Sequence, residues 1–249
     1  MAFYRSSNPA LKTESFESDN SLIDHNNTMT IQGTVNKTAL MGVLVFAAAL
    51  YVWYQYINAE TLFGIELFVG GGFIGGFVLA LIIICRKKSA PYLAPVYAIL
   101  EGLALGGLSV MMELRFPGIV LQAILLTMGI LFGLLFIYRA GIIKVTENFK
   151  LMVASATMGI ALVYLVSFIG SFFGFQIPMI HEGGTVGIIF SLVVVAIASL
   201  NLVMDFDFIE EAAEKRVPKY MEWYGAFGLM VTLIWLYIEI LRLLSKLRD

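Results

Sequence analysis

Seven long apolar runs leave this chain few ways to fold. They occupy residues 39–57, 62–85, 92–114, 116–138, 151–175 and 185–209, and a last stretch that starts at 221 or 226 and ends at 247. Each approaches or exceeds the roughly 20 residues that cross a hydrocarbon core of about 30 Å as a helix. Strands of a membrane barrel would be about 10 residues long and would alternate strictly. These runs are too long and too uniformly apolar for that. A helix satisfies its backbone hydrogen bonds internally, and the bilayer core offers no others. The expectation is an all-α membrane protein, a bundle of seven transmembrane helices.

Composition agrees. Of 249 residues, 59% are hydrophobic and 14% charged, with a mean hydropathy of +0.87. Soluble domains carry about 45–50% and about 25%. This excludes a soluble enzyme, a nucleic-acid binder and a disordered chain, and makes the lipid bilayer the first partner. The single cysteine, Cys85, excludes an intramolecular disulfide framework and a cysteine metal cluster. Residues 1–38 are polar, lack the pattern of a secretory signal, and read as a flexible cytoplasmic tail. Residues 39–249 form the transmembrane domain.

Lysine and arginine set the expected orientation. Arg86, Lys87 and Lys88 follow run two, Arg139, Lys144 and Lys150 follow run four, and Lys215, Arg216 and Lys219 follow run six. All lie on the tail's side, whereas the opposite loops hold only Arg115. The amino terminus is therefore expected in the cytoplasm. Lys246 and Arg248 at the far end leave open whether the last segment spans or re-enters. The segment from Glu210 to Lys219 is expected to continue helix six beyond the bilayer as far as Pro218, which then opens helix seven. Glycines such as Gly72, Gly76, Gly102 and Gly106 fit close helix packing, with a gating hinge as the alternative.

Charged side chains inside a span cost at least about 2.5 kcal/mol each, so each marks a functional candidate. Here they are Glu66, Glu101, Asp205, Asp207, Glu239 and Arg242. Glu66 and Asp207 lie close enough to span ends to reach the interface. Glu101 is about 13 Å beyond Tyr92, Asp205 about 13 Å before Glu214, and Glu239 about 20 Å beyond Ala226. Three carboxyls from three helices can thus approach one mid-membrane cavity. Two that meet in low dielectric share a proton. With both protons lost, Asp205 and Glu239 offer oxygen ligands for a cation. Glu239 and Arg242, three apart on one helix face, can also pair.

The stretch MDFDFIE at 204–210, and PKYMEWYGAFGLMVTLIWLYIEILRLLSKL at 218–247, resemble the carboxyl half of the Bax inhibitor-like (transmembrane Bax inhibitor motif) membrane proteins. RSSNPAL and MTIQGTVNKTAL near the start resemble their bacterial branch, and YAILEGLALGG at 97–107 adds a third match. The resemblance implies six helices around a central seventh and a pH-sensitive calcium leak. It also implies that an acid on helix six and one on helix seven share the gating proton. The positions that match are Asp205 and, through LYIEILRLL, Glu239, where glutamate stands for the family's aspartate. Glu222 in YMEWY is an alternative partner. Arg86 lies near the place of an arginine that takes part in some members, or is a stop-transfer charge.

Two further classes were weighed. An intramembrane enzyme lacks support, because neither G-x-S-x-G nor H-E-x-x-H occurs and His25 and His181 fall outside the spans. A regulatory scaffold for a membrane protease or stress-response partner would dock through the tail and the 210–219 segment. The sequence reading is a pH-sensitive calcium (cation) leak without cofactor, in a bacterial inner membrane.

Overall fold

The computed structural model describes residues 27–59, 64–174 and 184–248. Within them the chain forms seven long helices. They are α1 (Ile31–Ala59), α2 (Ile65–Cys85), α3 (Ala90–Arg115), α4 (Ile119–Arg139), α5 (Glu147–Ser171), α6 (Thr185–Glu214) and α7 (Met221–Arg248). Each is long and apolar enough to cross a membrane. The all-α bundle expected from the apolar runs is the observed fold. The links after α1 and α5 fall largely outside the described residues, as does the tail before Asn27.

The polar and charged ends of three helices differ from the apolar runs, each for a local reason. Helix α1 begins at Ile31, inside the stretch assigned to the tail. Thr30 caps it, its hydroxyl accepting from Gly33 N at 2.9 Å, so the polar turn that follows is helical rather than loose. Helix α5 starts at Glu147 because the Thr146 side chain accepts from Phe149 N. Helix α6 stops at Glu214, short of Pro218. Arg216 takes φ 52°, and Val217 N reaches back to Ala212 O at 3.2 Å. This is a left-handed helix stop made without glycine, which composition does not betray. Pro218 does not open α7. It pairs with Thr28 in an isolated antiparallel bridge, and α7 starts at Met221.

Helix α7 packs against α1, α3, α4 and α6, four of the six helices expected around it, while α2 packs chiefly against α3. Leu236, Ile240 and Leu241 on it are almost wholly buried. It is continuous over 28 residues, about 42 Å, so it matches the other spans in length and does not fold back. Helix α3 is as enclosed as α7, and the Tyr97 and Phe227 rings, 5.0 Å apart, join the two. Lipid supplies no hydrophobic drive between helices, so close contact must. A Cβ on Gly106 would stand 2.8 Å from Ala49 Cα, and one on Gly72 would stand 2.6 Å from Leu100 O. Helices α1 and α2 therefore lie directly on the α3 backbone. The glycine pattern serves packing at these positions, while Gly70 and Gly71 face open space.

Candidate functional site: carboxyls within the bundle

The carboxyls singled out in the sequence do not meet in one cavity. Asp205 lies nine residues before the end of α6 at Glu214, about 13 Å along the helix. Across the interface it faces Thr232 of α7, whose hydroxyl donates to Gly228 O at 3.3 Å. Thr232 is itself buried. The other oxygen, Asp205 Oδ2, is buried with no partner.

Glu239 sits seven residues further along α7 than Thr232, about 10 Å. It is 1% exposed and turns to α5 and to its own helix. Its Oε1 accepts from Tyr164 Oη at 2.9 Å and from Arg242 Nη1 at 2.7 Å. Arg242 also donates to Tyr164 Oη at 2.6 Å, and its guanidinium lies 5.1 Å from the Tyr164 ring centre. The pairing of Glu239 with Arg242 expected from their spacing is present. The pairing of Glu239 with Asp205 is not, because about two turns of α7 separate Glu239 from the threonine that Asp205 faces. Glu239 Oε2 is nonetheless buried and unpartnered.

Glu101 is also buried, at 6% exposed. It leans on α2, where a Cβ added to Gly76 would collide with its carboxylate. Glu101 Oε2 has no partner. The small residue on α2 thus makes the room that the acid on α3 fills.

Glu222 is the contrasting case. It lies in the first turn of α7, 1% exposed, and both its oxygens are engaged near the start of α1. Oε1 accepts from Thr30 N at 3.0 Å and Thr30 Oγ1 at 2.9 Å, and Oε2 binds Lys37 Nζ. Beside it Met29 N donates to Val217 O and Lys219 N to Asn27 O. Glu222 therefore ties the start of α1 to the α6–α7 link. Ten residues, or about 15 Å along α7, separate it from Thr232, so it is not Asp205's partner either.

The remaining candidates lie at helix ends. Asp207 Oδ2 is 2.9 Å from Lys150 Nζ, which also approaches Glu147 and Glu211 at 3.6 Å each. Arg86 is exposed at the α2–α3 link, where its carbonyl accepts from Ser89 N. Glu66 is exposed in the first turn of α2. Lys246 donates to Gly187 O at 3.1 Å. Arg248 donates to Pro117 O at 2.9 Å and Gln122 Oε1 at 2.8 Å. The bundle itself thus engages the two cations that made the last segment ambiguous. Among the described residues no three His, Cys, Asp or Glu side chains group as a metal site, so a bound cation would rest on single carboxyls.

Sequence reasoning missed Thr232, Tyr164 and Lys37. Thr232 stands alone as a polar residue in the run LMVTLIW, a signal that was available. Lys37 lies before the first apolar run, within the stretch read as a polar tail.

The sequence model of one family, described as Bax inhibitor 1 like, matches residues 8–249. Searches of curated proteins and of solved structures found no match.

Proposed function

The chain belongs to the Bax inhibitor 1 like family of membrane proteins, and from that premise we propose that it is a pH-sensitive cation leak, with calcium as the permeant ion, in which Asp205 is the sensing group. The observation that carries the reading is the buried Asp205 Oδ2, which has no hydrogen-bond donor on a helix that crosses the membrane. An ionised carboxyl left this way in a bilayer is expensive. A proton on the carboxyl, or a cation against it, removes the cost. The protonated acid donates to the Thr232 hydroxyl that it faces and holds α6 to α7. The ionised acid presents a hard oxygen of the kind calcium prefers, and the α6–α7 contact loosens around it.

This form of the gate uses one acid and a threonine rather than two acids sharing a proton. Glu239 acts as the fixed partner of Arg242 and Tyr164, and its free oxygen, with that of Glu101, provides further stations for a cation. The positive loops favour a cytoplasmic amino terminus, in a bacterial inner membrane. A scaffold without transport has less behind it, because Asp207 and Glu211, at the end it would offer a partner, are engaged by Lys150 and Lys215. Calcium flux into dye-loaded proteoliposomes, measured as a function of pH, separates the two. A leak gives protein-dependent, pH-dependent flux, and a scaffold gives the flux of empty vesicles.

A further inference from the structure

An apolar cavity of about 480 Å³ lies between α1 and α4, with α3 and α7 as its floor. Asp205, Glu101 and Glu239 do not line it. Its walls run along the helix axes. On α1 it extends from Thr38 to Trp53 and on α4 from Val120 to Leu131, about 22 Å and about 16 Å of helix. Phe46, Leu50 and Met128 line it and are exposed on the outer surface of the bundle, so the cavity opens sideways, where membrane hydrocarbon surrounds the protein.

The chemistry of the lining selects the occupant. Its hydroxyls are already satisfied by the protein. Thr38 Oγ1 donates to Thr34 O at 3.0 Å and Thr127 Oγ1 to Ala123 O at 2.7 Å. Ser109 and Tyr237 bond each other at 2.7 Å. Each lining hydroxyl thus already makes a bond within the protein, and water needs two or more polar partners to stay. The 16 Å over which both walls stand compares with about 15 Å for one leaflet's half of the hydrocarbon core. The volume falls within the range of pockets that enclose a small ligand, about 300–1,000 Å³.

The geometry points to this groove as the seat of one acyl chain of a membrane phospholipid, inserted from the bilayer between α1 and α4 onto α7. The chain continues the lipid-facing surface inward and props apart two helices that barely touch each other. This inference is independent of the cation-leak reading, since the groove and the carboxyls share no residue.

Gly42 gives the test. It lines the groove, and a Cβ built on it meets nothing within 4 Å. Gly42→Phe therefore fills the space from a helix that gains propensity by losing glycine. Gly159→Phe, on an equally open glycine of α5 outside the groove, is the control. The full chain is stripped of lipid in detergent and incubated with palmitoyl-oleoyl phosphatidylglycerol, and lipid retained per protein is counted by native mass spectrometry. Wild type and Gly159→Phe should keep one lipid, and Gly42→Phe should bind about tenfold more weakly. Gly42→Leu, a smaller filling, should fall between, and it stands in for Gly42→Phe should that variant fail to fold. Equal retention by wild type and the folded Gly42 variants overturns the proposal, as does no retained lipid in wild type. Displacement of the lipid by equimolar palmitate overturns the assignment to a phospholipid chain.

Discussion

Glu222 and Asp205 lie on neighbouring helices and have opposite surroundings. Glu222 is almost fully buried and meets two donors from Thr30 and the Lys37 ammonium. Asp205 faces one threonine and has a buried oxygen without a partner. A buried acid that is fully partnered fixes structure, because changing its protonation would break several bonds at once. A buried acid left half-partnered holds a single helix contact and stays open to a proton or a cation. The first is the clamp where α1 and α7 begin, and the second is the group able to change state inside the membrane.

The contrast predicts a ranking of stability effects, measured by unfolding in detergent. Lys37→Met should cost most, about 3 kcal/mol, since it strands the buried Glu222 carboxylate without its counter-charge. Glu222→Gln should cost less, about 1–2 kcal/mol, because the amide oxygen still accepts from Thr30 and Lys37 retains a path to water. The double variant should be more stable than Lys37→Met alone. If instead the two losses simply add, the pair is not a clamp. Tyr164→Phe removes one bond to Glu239 while Arg242 stays, and about 0.6 kcal/mol is the usual worth of such a bond between membrane helices. A loss above about 2 kcal/mol would place Glu239 with the clamp rather than with the open acids.

The sequence shows this fold unusually well, because the bilayer imposes a length and an apolarity on each helix and forbids most other structures. What it hides are features set by single contacts. The early start of α1 depends on Thr30 and Glu222, which are 192 positions apart. The end of α6 depends on Arg216 adopting a conformation that usually signals glycine. At the site, the carboxyls of Glu101, Asp205 and Glu239 are legible as costly exceptions to an apolar pattern. Their partners are not. Depth along a helix can be counted from a sequence, but the direction a side chain faces depends on how the helices are rotated. Asp205 and Glu239 are both deep, yet one faces Thr232 and the other Tyr164. Spacing alone found the Glu239–Arg242 pair because both partners lie on one helix, where geometry is fixed.

Asp205→Asn should have the smallest effect on stability, within about 0.5 kcal/mol, since the amide can donate to Thr232 as the protonated acid does and adds no charge. Its effect on transport should be the largest. The deciding measurement is calcium flux through proteoliposomes of wild type and Asp205→Asn, at equal protein density, from about pH 5 to about pH 8. Asparagine keeps the contact with α7 but cannot lose a proton. The account predicts flux that rises with pH in wild type and a low, flat profile in the variant. If Asp205→Asn follows the wild-type curve, Asp205 is a packing residue and the sensing role assigned to it is wrong.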